Sequence, residues 1–225
     1  NYEKAKLYYT KAIPLEKKEK DSLLLARSLA NLASINSTQE NFKKAEELFL
    51  ESLKCPSSFE IKRTTYANLG NLKIREKKFD DALKYLEKVM VRNPETGEGP
   101  DEIDFSYLLD AKTGARNFSG VDTIIPNAIK LYKSTPDLRD KSILLRALGN
   151  LYHAMGQYDK ASLAKDEYIL IYDSLKAKQR DEVVYEMETK YQTQKKEEEI
   201  VKQEKEKNRL QLFFVIACFT IALLS

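Results

Sequence analysis

Tryptophan is absent from the 225 residues, histidine occurs once, cysteine twice, and seven Gly and six Pro are few for a chain of this length. Each scarcity closes off a class of answer. So little Gly and Pro leaves few tight turns to close hairpins, which excludes an all-β sandwich or barrel. A single His with Cys55 and Cys218 far apart supplies neither the clustered ligands of a transition-metal site nor a disulfide framework. Charge of one sign is also missing: 38 basic residues are interleaved with 35 acidic ones, so no basic patch speaks for nucleic acid. A phosphate-binding loop is not found either, because Gly97-Glu98-Gly99-Pro100 is acidic, has no following Lys and reads as a turn. His153 has no nucleophile beside it and no carboxylate pair stands out in an apolar setting, so the chain is expected to be non-catalytic, without cofactor or metal. What remains, 42% hydrophobic and 32% charged residues, suits long exposed helices around a modest core.

An internal period orders the first three quarters of the chain. Asn31-Leu32-Ala33-Ser34-Ile35, Asn68-Leu69-Gly70-Asn71-Leu72 and Ala147-Leu148-Gly149-Asn150-Leu151 align. Each is followed by an aromatic, a charged pair and Ala: Phe42-Lys43-Lys44-Ala45, Phe79-Asp80-Asp81-Ala82 and Tyr158-Asp159-Lys160-Ala161. With Ala5, the anchoring alanines fit a repeat of just under 40 residues. Pro56, Pro94 and Pro136 each fall where the second helix of a unit should stop, since proline cannot donate the helical hydrogen bond.

In these residues the chain resembles the tetratricopeptide repeat (TPR) family, a helix-turn-helix unit with Leu-Gly and Tyr on its first helix and Ala, aromatic and Pro on its second. The resemblance implies an all-α solenoid wound as a right-handed superhelix over residues 1–172. Its parts are a lone second helix to about Glu19, repeats near 22–56 and 59–94, a degenerate one over 98–136 without a Leu-Gly pair or anchoring Ala, and a last one at 140–172. Small residues at Gly70 and Gly149 should let the first helix approach the second, with Ala45, Ala82 and Ala161 receiving that contact from the other side. The chain is expected to begin inside a unit.

The family's first helices line a concave groove, the usual peptide-binding surface of such proteins. By that register the groove carries Arg27, Ala30 and Ser34, then Thr64, Ala67 and Asn71, then Ile143, Arg146 and Asn150. Asn71 and Asn150 have the donors and acceptor to hold a peptide backbone, and Arg146 can take a carboxylate. The same residues also suit an ordinary solvated helix surface. A clamp for chaperone tails needs basic residues on its first repeat, and Ala30 and Ser34 depart from that pattern.

From Asp173-Ser174, a candidate N-cap, to Arg209 there is neither Gly nor Pro, and Lys, Glu and Gln dominate. This predicts a long charged helix over 173–209, with Val184, Met187, Tyr191, Gln194 and Val201 as a thin stripe for a coiled-coil homodimer. A solvated single helix held by Glu/Lys pairs is the alternative. Leu212 to Leu224 is uncharged but shorter than the roughly 20 residues a span needs, so residues 210–225 are expected to be the start of a truncated transmembrane helix. Lys195, Lys196, Lys202, Lys205, Lys207 and Arg209 before it favour a cytoplasmic repeat region. The whole arrangement resembles TPR-containing membrane sensors of Bacteroidetes, a likeness that implies instead a periplasmic sensory region binding a peptide or protein partner. A membrane-anchored scaffold without signalling output is the competing expectation.

Overall fold

The computed structural model describes residues 2–224, and the side chains of all of these except Leu210 and residues 212–224. Among the described residues the elements are helical: α1 (Tyr2–Glu19), α2 (Ser22–Thr38), α3 (Phe42–Lys54), α4 (Phe59–Arg75), α5 (Phe79–Val89), α6 (Glu102–Ala115), α7 (Val121–Ser134), α8 (Leu138–Ala154) and α9 (Tyr158–Leu224). The chain divides into two compact units, Asn1–Tyr172 and Asp173–Ser225.

In the first unit α2/α3, α4/α5, α6/α7 and α8 with the start of α9 are successive helix pairs, and α1 packs on α2 as a lone preceding helix. The first helices α2, α4, α6 and α8 also pack on one another in sequence. Local chemistry sets the boundaries. Asp21, Ser58, Asp101 and Asp137 accept the free amides of Leu24, Ile61, Asp104 and Arg139/Asp140, and Asp101 with Asp104 forms a reciprocal capping box. Cys55 and Thr135, each preceding a proline, are extended and end α3 and α7. Pro94 lies farther out, in the loop after α5.

Every first helix ends in the same way. Glu40 (φ 62°), Lys77 (φ 60°), Arg116 (φ 50°) and Gly156 (φ 76°) are left-handed. The amide after each donates to the carbonyl five residues back: Asn41 to Asn36, Lys78 to Lys73, Asn117 to Lys112 and Gln157 to Tyr152, at 2.8–3.0 Å. This is the Schellman closure of a helix. Three of the four turns place a side chain where glycine is favoured, at a cost of about 1 kcal/mol each.

The turn is also a ruler. Seven residues before it stand Ala33, Gly70, Leu109 and Gly149. At Gly70 an added Cβ would lie 2.6 Å from Cγ and Cδ2 of Leu86, which is fully buried, so glycine is required for α4 to meet α5. Gly149 does not have the close-packing role expected of it: a Cβ there would meet Ala164 Cβ at an ordinary 3.5 Å. Ala45 and Ala82 are fully buried, and Ala161 is partly buried against the last core cluster. The unanticipated close approach is at Gly114, where a Cβ would collide with the Phe79 ring of the preceding pair.

In the degenerate pair Leu109 fills the small-residue position, fully buried and packed with Val121, Ala128 and Leu144. Ala128, also fully buried, is the anchoring alanine that the sequence did not reveal. The linker from α6 to α7 has five residues, 116–120, where the others have three. A larger side chain and a longer linker hold α7 back, and α6 packs more extensively on α8 than on α7.

No helix starts at Asp173-Ser174. α9 runs from Tyr158 to Leu224, since neither Gly nor Pro follows Gly156 to interrupt it. In the second unit the stripe residues Val184, Met187, Tyr191 and Val201 are exposed. Among the described residues no helix is long and apolar enough to cross a membrane. The apolar run expected to begin a span lies outside the residues whose side chains are described.

Candidate functional site: the first-helix face

The turn ruler also places the predicted groove residues. One position beyond the small residue, α2, α4, α6 and α8 present Ser34, Asn71, Asp110 and Asn150; three positions before it they present Ala30, Ala67, Ser106 and Arg146. Ala30, Ala67 and Ser106 are buried between neighbouring first helices, so the small residues serve packing rather than recognition. Arg27 and Thr64 are exposed at equivalent places near the starts of α2 and α4. Ser34 is half-buried, and its hydroxyl donates back to the Ala30 carbonyl at 3.0 Å.

Polar bonds tie one first helix to the next along this face. Arg75 donates to the Ser37 carbonyl at 2.6 Å and to its hydroxyl at 3.1 Å. Asn71 donates to the Tyr107 hydroxyl at 3.3 Å. Arg146 grips Asp110 with both terminal nitrogens, at 3.2 and 2.8 Å. Arg146, expected to take a partner's carboxylate, already holds the Asp110 carboxylate of the neighbouring helix with its fork. That hydrogen bond and the Asp110 charge raise the Arg146 pKa against the opposing effect of burial. Burial and the nearby acidic groups Asp104, Asp101 and Asp110 push the Tyr107 phenol up as well.

Arg146 and Asn150 come together in a cleft of about 530 Å³ between α8 and α9, which His153, Lys165, Tyr168 and Ile169 also line. His153 meets Tyr158 edge to face with ring centroids 5.3 Å apart. The other predicted residues, Arg27, Ser34, Thr64 and Asn71, lie along the same series of helices. Tyr107 and Asp110 were missed because α6 has no Leu-Gly pair to fix its register. The signal that reveals them is Asp101-x-x-Asp104, an N-terminal capping pattern ahead of an apolar run.

Two charged nodes brace the pairs behind this face. Lys73, buried on α4, bonds Glu46 of α3 at 2.7 Å and Glu76 at 2.8 Å. Burial opposes its charge, but the two carboxylates outweigh it and hold Lys73 above the usual lysine range. Asp104 is buried beside Asp101, and burial followed by that like charge pushes its carboxyl up to about 6. Arg63 stands 4.0 Å from it and donates to the Gly99 carbonyl, holding the 90–101 loop onto α4 and α6. Among the described residues no group of three or more His, Cys, Asp or Glu side chains is placed to hold a metal ion.

The geometry is that of a helical-repeat module, a series of packed helix pairs presenting a row of polar side chains. Residues 25–55 and 64–96 each match a tetratricopeptide repeat model, and the two matches support that family. Repeats of this kind bind proteins or peptides. Among solved structures, the crystal structure of BtubC (BKLC) from P. vanneervenii is similar at 16% identity with a TM-score of 0.45, covering 78% of this chain and 92% of that one. No curated protein matches the chain.

Proposed function

We propose that this chain is the partner-binding TPR region of a membrane signalling protein, on the periplasmic side of a membrane that the apolar run at 212–224 enters. The observation that carries the binding part is the unbroken series α2, α4, α6 and α8, with exposed Arg27, Thr64 and Asn150 and half-buried Ser34 and Asn71 along one face. A peptide or protein segment laid across that series meets the amide groups of Asn71 and Asn150, and a carboxylate on it competes with Asp110 for Arg146. Partner binding then changes how the first helices stack, because the Asn71–Tyr107 and Arg146–Asp110 bonds join neighbouring pairs. The exposed stripe Val184, Met187, Tyr191 and Val201 supports pairing of two copies through the charged helix, which passes the change toward the membrane.

Photo-crosslinking groups at Thr64 and Asn150, compared with one at Lys84 on α5, test the binding face. The reading expects a common partner crosslinked from the first two positions and not from the third; equal labelling from all three overturns it. Flotation with phosphatidylglycerol-containing vesicles, with and without residues 210–225, tests the membrane part. Equal flotation of both forms removes the anchor.

A further inference from the structure

A second cleft lies on the opposite side of α6 from the polar face. Its apolar walls are Leu83 and Met90 of the α5 region, Phe105 and Leu108 of α6, and Ile124 and Leu131 of α7, enclosing about 610 Å³. That is within the range of sites that hold small organic ligands. Its origin is the departure already described: Leu109 in place of a small residue and the five-residue linker keep α7 away from α6, and α5 forms the other wall.

Its charge is unbalanced. Arg92, Lys112 and Lys130 line the cleft, against Glu87 as the acidic lining residue. Lys112 is buried, and its ammonium donates to the Ser119 carbonyl at 2.6 Å. An ammonium carries three donors, and among the described residues no carboxylate lies within ion-pair distance of this one. Burial pushes its pKa down, partly offset by the Glu87 charge. A lone buried cation of this kind is stabilised by an anion that brings its own apolar surroundings.

We propose that the cleft between α5, α6 and α7 is a binding site for a small amphiphilic monocarboxylate, its carboxylate on Lys112 and its hydrocarbon body along Leu83, Met90, Ile124 and Leu131. A carboxylate is the occupant because its two oxygens match the two remaining donors of the Lys112 ammonium, and a monocarboxylate because the six apolar walls favour a ligand whose remainder is hydrocarbon. The site is independent of the first-helix face: its residues alternate along α6 with Ser106, Tyr107 and Asp110, which point to the other side.

The chain has three methionines, and Met90 alone lines this cleft, so methyl-13C-methionine NMR of the full chain reads occupancy directly. Decanoate is expected to shift the Met90 methyl saturably while Met187 stays in place. Decanol, with the same body and no charge, should bind at least about tenfold more weakly, equivalent to about 1.4 kcal/mol. Lys112→Leu should reduce decanoate affinity about tenfold or more, and Ile124→Trp, which fills the cleft and leaves Lys112 intact, should abolish the Met90 shift. The proposal is overturned if Met90 does not respond, if Met90 and Met187 move together as they would with a non-specific surfactant, or if decanol matches decanoate. It is equally overturned if a folded Ile124→Trp chain binds as before.

Discussion

The pair α4/α5 and the pair α6/α7 occupy adjacent places in one stack, yet one is closed and the other is open. In the first, Gly70 puts no side-chain atom of its own against Leu86, and a three-residue turn brings α5 straight back. In the second, Leu109 stands at the same distance before the turn, and the linker is two residues longer. Between these two pairs, a glycine with a short turn goes with a closed interface, and a larger residue with a longer linker goes with a cleft.

The comparison can be broken most severely from the open side. Leu109→Ala removes a fully buried side chain that the longer linker prevents α7 from replacing, so denaturant unfolding should show a loss of about 3 kcal/mol. If α7 instead closes onto α6, the loss will be well under half of that and the adjoining cleft will shrink. Next in size is Gly70→Ala on the closed side. The new methyl has only immobile Leu86 to displace, and thermal or urea unfolding should report a loss of about 2 kcal/mol.

The junction between the two pairs supplies a pH test. The Asp104 carboxyl titrates near 6 in the folded chain against 3.8 for the ordinary group. The native state therefore binds this proton more readily than the unfolded state. The contribution to stability is complete below pH 3.8 and is lost as pH rises through about 6. Asp104→Asn should flatten that part of the stability profile, by about 1–2 kcal/mol between pH 4 and pH 7, in urea titrations at matched ionic strength. An unchanged slope would mean that Asp104 is not the titrating group.

The smallest effect sharpens the comparison with the last pair. At Gly149 a methyl group meets Ala164 at contact distance and replaces a flexible helix-interior glycine. Gly149→Ala should raise stability by about 0.5–1 kcal/mol, opposite in sign to the same change at Gly70. A loss at both positions would show that α8 and α9 pack more tightly than described.

Much of this was legible in the residues. The period of Leu-Gly or Leu-Ala, aromatic and Ala located α2 to α5 and α8, and the prolines at 56 and 136 marked two helix ends closely. These signals are local: a proline removes a donor wherever it sits, and an amphipathic spacing buries one face against any partner. The register of α6 was not legible, because its left-handed turn is at Arg116 and its small-residue position holds Leu109. Asn71 and Arg146 were singled out in the sequence as groove candidates, but their bonding partners Tyr107 and Asp110, each 36 residues away, were not.

What the sequence determined by itself is therefore the kind of element and its repetition, since backbone hydrogen bonding and hydrophobic period act within a few residues. What only the tertiary structure decided is which of two identical Leu-Gly pairs is sterically required, that Arg146 is already engaged, and that a cleft opens beside Lys112. Those outcomes depend on the distance between helices, which is set by side chains far apart in the chain and by the length of the linkers that join them.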